Sequence, residues 1–86
     1  MRLDKFLKVS RIIKRRTIAQ EVAKHDRITI NGKIAKPSSL VKIGDIIVIR
    51  FGIKLITVEV LSIKEIVKKE QSELMYKLIS ETKLTD

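Results

Sequence analysis

The apolar residues between Leu3 and Ala23 fall into two groups that one continuous helix cannot carry on a single face. Leu3, Phe6 and Leu7 recur at i, i+3 and i+4, with Asp4, Lys8 and Arg11 pointing away, which predicts a short helix over about residues 3 to 10. Ile18, Ala19, Val22 and Ala23 pair at spacings of four and predict a second helix, apolar on one side for two turns. Ile12 and Ile13 fall to the turn between them, because continuing one helix to Lys24 would rotate the apolar stripe out of register.

After Lys24 the period changes. The stretch RITINGKIAK sets Asn31 and Gly32 between β-branched residues, and such a pair supplies the two positive φ angles of a two-residue hairpin turn. Residues 28–30 and 34–35 are therefore predicted as short antiparallel strands. Pro37, Ser38 and Ser39 interrupt any regular element, and a turn at residues 43–45 precedes the β-branched run IIVIRF, suited to a buried strand. Residues 55–60 alternate around Thr57 and Glu59 as a strand with one wet face, and the pattern allows an extension to Ile66. Leu74, Met75, Leu78 and Ile79 stand at helical spacing beside Lys69, Glu70, Glu73 and Lys77, which predicts a closing amphipathic helix over residues 70–80 that starts near Lys68. Ser62 and Glu65 have capping-box spacing and leave an earlier start open. The fold class is α+β, with no internal repeat.

Eighty-six residues make one domain, residues 1–86, with a small core and no room for an added catalytic domain. Charge then sharpens the picture. Nineteen Lys and Arg face ten Asp and Glu, a formal charge of +9. Residues 1–36 carry eleven basic and three acidic side chains, net +8, and residues 37–86 only net +1. An acidic partner for the N-terminal part follows. The chain contains no cysteine, so disulfides and thiolate metal sites are excluded. No cofactor or metal is expected. The N-terminus has no apolar segment of signal-peptide length, and no run reaches the roughly 18 residues of a membrane span, which predicts a soluble cytoplasmic protein.

Lys14, Arg15 and Arg16 lead into the second helix, where the positive end of the dipole disfavours cations by about 0.3 to 1 kcal/mol each. The same place offers unpaired backbone N–H groups, and guanidinium groups grip phosphate with parallel hydrogen bonds. Residues poorly placed for helix stability are thus well placed for a phosphate backbone. Arg2, Lys5, Lys8 and Arg11 extend the patch. The aromatic residues Phe6, Phe51 and Tyr76 are spaced as packing residues, so structured RNA or duplex, held by backbone and shape, fits better than splayed bases. His25 has no visible partner for acid–base work, and no enzyme is expected. Arg27 and Lys36 are further candidates around the hairpin. Lys68, Lys69 and Lys77 alternate with Glu65, Glu70, Glu73 and Glu81 and read as a solvated face.

In order and spacing, RLDKFL (residues 2–7), Ser10 with Arg11, RRTIAQEVA (15–23), RITING (27–32) and KPSSLVKIGD (36–45) resemble the RNA-binding domain named for ribosomal small-subunit protein four, over about residues 2–50. The remainder, including LMYKL, is similar to small stand-alone members of that superfamily: the bacterial heat-shock ribosome-binding protein and, more closely, the RqcP family. The resemblance implies two antiparallel N-terminal helices packed on a small bent antiparallel sheet, with a C-terminal helix. It also implies a monomeric factor of ribosome-associated quality control on an obstructed large ribosomal subunit. There it would touch large-subunit rRNA and peptidyl-site tRNA, act with an RqcH-type tailing factor and support alanine tailing. The alternative it implies is a heat-shock-type protein that rescues dissociated large subunits carrying peptidyl-tRNA.

Carried over by position, Arg2 and Arg16 are the leading RNA contacts, followed by Lys5, Arg11, Lys14 and Arg15. Asp4 matches the acidic residue of the motif and is expected to pair with a nearby Arg or Lys. Relatives often have Ser or Thr, ordinary N-caps, where Lys14 stands, which leaves the helix start open. Enzymes that carry this domain, such as pseudouridine synthases and tyrosyl-tRNA synthetases, need a further catalytic domain. A protein-interaction module or nonspecific DNA binder is a third reading, and a fourth, membrane-surface binding through the basic helix, fits poorly because the three-residue apolar face of the first helix is needed for the core.

Overall fold

The computed structural model describes residues 1–65 and 68–84. In chain order the elements are α1 (Leu3–Val9), α2 (Arg16–Lys24), β1 (Ile28–Ile30), β2 (Lys33–Ile34), β3 (Ile46–Phe51), β4 (Lys54–Val60), α3 (Lys69–Ser72), a 3₁₀ turn (Glu73–Met75) and β5 (Tyr76–Lys83). The strands form one antiparallel sheet in the order β2-β1-β3-β4-β5.

Leu3, Phe6 and Leu7, the predicted stripe of α1, are fully buried. They meet Ile28, Ile47, Ile49, Val58 and Val60 from the sheet and Met75 from the 3₁₀ turn in one core. On α2 the buried residues are only Ala19 and Ala23; Ile18 is 39% exposed and Val22 is half-buried. The small side chains sit innermost, and the larger ones of the predicted stripe lie towards its edges.

Pro37 and the two serines after it leave regular structure and serve α1 instead. The N–H of Leu3 donates to the Ser39 carbonyl at 2.7 Å and that of Asp4 to the Pro37 carbonyl at 3.1 Å. Two of the donors that a helix start leaves unpaired are thus satisfied from the loop. At the other end Arg11 adopts φ 61°, and its N–H returns to the Lys8 carbonyl at 3.1 Å. α2 closes in the same way on Asp26 (φ 59°), with Asp26 N–H to Ala23 and Arg27 N–H to Val22.

Asn31 (φ 51°) and Gly32 (φ 83°) make the predicted hairpin turn. β2 is Lys33–Ile34, one residue earlier than expected, but the buried Ala35 still donates its N–H to the Ile28 carbonyl at 2.8 Å. The Asn31 amide also ties this hairpin to the Gly44 turn, donating to Asp45 Oδ1 at 3.0 Å and accepting from Ile46 N–H at 2.9 Å.

The C-terminal part departs from expectation. The predicted helix over residues 70–80 is confined to α3 and the 3₁₀ turn, and Tyr76–Lys83 is a strand along β4. Without it, β4 would present a full row of unpaired backbone groups at the sheet edge. The pairing runs Val58 to Leu78 and then Thr57 to Ser80, so Ile79 is the extra residue of a bulge. That insertion breaks the two-residue period and leaves Leu78 and Ile79 adjacent, which imitates a helical stripe. Both are about half exposed, whereas Met75 is buried. β4 itself ends at Val60; Ile66, to which its pattern allowed an extension, lies outside the described residues.

Candidate nucleic-acid interface

Asp4 stands at the first turn of α1 with its side chain fully buried, yet four groups converge on it. Arg2 donates through Nε to Oδ1 at 3.2 Å and through Nη2 to Oδ2 at 3.3 Å. Arg16 Nε lies 3.3 Å from Oδ2, and its Nη2 donates to Oδ1 at 3.4 Å. Gln20 Nε2 donates to Oδ2 at 2.9 Å and the Lys5 backbone N–H to Oδ1 at 2.8 Å. Burial is the largest single influence on this carboxyl and pushes its pKa up. The hydrogen bonds from Gln20, Arg2, Arg16 and the Lys5 backbone together outweigh it and hold Asp4 below the usual carboxylate value.

The two arginine side chains remain 49% and 43% exposed. Each has five N–H donors and commits at most two to Asp4. Two positive charges against one negative leave the cluster cationic, with donors facing solvent. Asp4 therefore holds the arginines side by side without neutralising them. This clamp joins the start of α1 to the start of α2, twelve residues apart in sequence. Gln20, one turn beyond Arg16 on the same face, completes it. Its part was missed from sequence, and that i, i+4 spacing was the available signal.

α2 begins at Arg16, which settles the start that Lys14 left open. Arg15 is the N-cap, extended at φ −114° and ψ 125°, with no side-chain capping hydrogen bond. Its carbonyl accepts from Ile18 and Ala19, and the N–H groups of Arg16 and Thr17 have no protein partner among the described residues. Lys14, Arg15 and Arg16 are all exposed around those donors.

The other candidates divide. Arg11 follows the end of α1 and is exposed. Lys5 pairs with Glu65, whose pKa is held down by that ammonium, through the hydrogen bond first and its charge second. Lys36 pairs with Asp26. Arg27 lies beyond the far end of the nine-residue α2, about 13 Å along its axis from Arg16. The structure thus brings Arg2 and Arg16 together at Asp4, sets Lys14 and Arg15 in the exposed stretch that leads into α2, and directs Lys5 and Lys36 to other carboxylates. His25 is exposed, 3.5 Å from Glu21. Among the described residues no group of three His, Cys, Asp or Glu could hold a metal ion, and no helix is long and apolar enough to cross a membrane.

Residues 1–47 match the family described as S4 domain. The chain is 60% identical over 84 residues to the RQC P-site tRNA stabilizing factor of Bacillus subtilis, covering 98% of each chain. Against the protein of that name from Streptococcus pneumoniae it is 56% identical over 86 residues, all of this chain and 98% of the relative. Among solved structures, the trimeric heat shock protein 15 of Vibrio cholerae superimposes with a TM-score of 0.84 at 30% identity, over 93% of this chain and 82% of that one.

Proposed function

The chain belongs to the S4 domain family, with the RQC P-site tRNA stabilizing factors as its relatives, and from that premise we propose that it is a non-catalytic RNA-binding factor of ribosome-associated quality control. It sits on the obstructed large ribosomal subunit, contacts rRNA and peptidyl-site tRNA, and supports alanine tailing of the stalled chain with an RqcH-type factor. It acts as a cytoplasmic monomer, with residues 1–86 as one working unit. Arg2 and Arg16 make the leading contacts, Arg11, Lys14 and Arg15 flank them, and Lys5, Arg27 and Lys36 contribute from the margins.

The Asp4 clamp is the observation that carries this reading. A phosphate backbone is a row of anions, and rigid, half-exposed guanidiniums meet it with paired hydrogen bonds at little further loss of side-chain freedom. Two open N–H groups and the N-terminal dipole of α2 favour the same ligand. Phe6 is fully buried and Tyr76 packs on the core, whereas Phe51, expected from its spacing to pack, is 42% exposed at the end of β3; the clamp itself contains no aromatic ring on which a base could stack. This suits shape and backbone recognition of folded RNA.

Arg16→Ala is expected to weaken association with large subunits carrying peptidyl-tRNA by about 1 to 3 kcal/mol, the range for a lost charged hydrogen bond. Sedimentation with purified subunits, alongside a thermal melt showing that the variant is folded, measures this. Full binding by a folded variant removes the clamp from the RNA contacts.

The likeness to heat shock protein 15 favours one second reading, rescue of dissociated large subunits that carry peptidyl-tRNA. Reconstituted alanine tailing with an RqcH-type factor separates the two. Tailing that depends on this chain supports the first, and tailing unaffected by its removal supports the second.

A further inference from the structure

The link between α1 and α2 forms one wall of a shallow depression of about 200 Å³, and the other wall comes from the segment after residue 68. Ser10, Arg11 and Lys14 line it from the link, and Lys69, Ser72 and Tyr76 from α3 and the start of β5. Its chemistry is one-sided. One arginine and two lysines line it, and no carboxylate is among the described residues that do. The Ser10 and Ser72 hydroxyls turn inward, to the Leu7 carbonyl at 3.3 Å and the Lys69 carbonyl at 2.7 Å, so both are small floor residues with their protons already committed. Tyr76 packs against the core and also lines the depression.

Arg11 occupies a left-handed backbone position, φ 61°, at the site after a helix where glycine is the ordinary residue. A long cationic side chain is kept there against local preference, a departure of the sort found at functional sites. Glu81 lines a neighbouring depression with Arg11, and its carboxylate lies 3.6 Å from the Lys54 ammonium. About 200 Å³ is several times the ~30 Å³ share of one water, which is room for a phosphodiester group.

We propose that Arg11, Lys14, Lys69 and Tyr76 form a second phosphate subsite, which takes another backbone phosphodiester of the RNA held at the Asp4 clamp. The proposal rests on the RNA-binding reading above. Lys14 stands two residues before Arg16, so the subsite continues the clamp surface along the link. It also gives the segment beyond the S4 match, residues 1–47, a direct part in holding RNA. Lys69 changes from a solvated charge to a ligand, and Tyr76 offers its hydroxyl while its ring stays in the core.

The test compares the full chain with Lys69→Gln, Lys69→Arg, Tyr76→Phe, Lys77→Gln and Arg16→Ala in binding to purified large subunits carrying peptidyl-tRNA, across a potassium chloride series. Lys77 follows Tyr76 on β5, outside the lining residues, and its loss removes the same charge. Lys69→Gln is expected to weaken binding several-fold and to flatten the log–log salt slope by about 0.7 to 0.9, one phosphate contact. Lys69→Arg keeps the slope, Tyr76→Phe weakens binding with the slope unchanged, and Lys77→Gln stays near wild type. Normal binding by Lys69→Gln while Arg16→Ala fails removes the subsite and leaves the RNA reading standing. Equal losses from Lys69→Gln and Lys77→Gln reduce the effect to overall charge and overturn the proposal. Loss with Lys69→Gln but not Arg16→Ala keeps the subsite and discards the clamp, and loss with neither discards both.

Discussion

A buried carboxylate beneath two half-exposed arginines has consequences that a surface ion pair would not. Asp4 has a lower pKa in the folded chain than its ordinary 3.8, because its hydrogen bonds outweigh burial. In the pH interval between the two values the unfolded state binds the proton and the folded state does not. Stability from this group is therefore complete above about pH 4 and falls as pH drops through the folded value. Thermal melts from pH 7 to pH 2 should show that acid loss in wild type and lose the Asp4 part of it in Asp4→Asn. A parallel decline in both would mean that other carboxylates carry the acid sensitivity. At the same site Arg16→Lys keeps the charge but loses the planar fork, so it should bind RNA more weakly than wild type and better than Arg16→Ala. Equal affinity of Arg16→Lys and wild type, read by sedimentation with subunits, would show that charge alone suffices there.

Among the elements, the two turns that set the geometry rest on different chemistry. The Asn31 turn combines a left-handed backbone with two side-chain hydrogen bonds reaching Asp45 and Ile46. Asn31→Ala should cost about 1 to 2 kcal/mol in urea unfolding, chiefly because alanine is strained at a positive φ, with a smaller part from the two exposed side-chain hydrogen bonds that it removes. The start of α2 is the reverse: it has no side-chain cap, and cations surround it. Arg15→Ser, which places a hydroxyl at the N-cap itself, should raise the melting temperature slightly and lower RNA affinity, stability and binding moving in opposite directions. A variant that gained both would remove the functional explanation for Arg15. In β5 the competition was between local period and an open sheet edge. The bulge at Ile79 let the edge win.

Across the whole molecule the charge is lopsided, +8 in residues 1–36 against +1 in the remainder. Long-range attraction to a polyanion therefore orients the chain before any contact forms. Neutralising about five phosphates should give a log affinity that falls with log salt at a slope of roughly −3.5 to −4.5. Binding to large subunits that ignores salt would point to a protein interface.

The sequence by itself determined what is local. The apolar spacing of α1 and α2, the Asn31 and Gly32 turn, the β3 run and the concentration of cations at the helix junction are all set by neighbours within a few residues. Only the tertiary structure decided which cations act together. Asp4 gathers Arg2, Arg16 and Gln20 because α1 and α2 pack in one register, while Lys5 and Lys36 go to carboxylates that lie sixty and ten residues away in the chain. It also made the last helical stripe mostly a strand, because backbone groups along β4 needed partners and a single inserted residue could supply them despite the period. Periodicity records which face a side chain prefers. It does not record which edge is open or which charge is already held, since those depend on groups brought together only by folding.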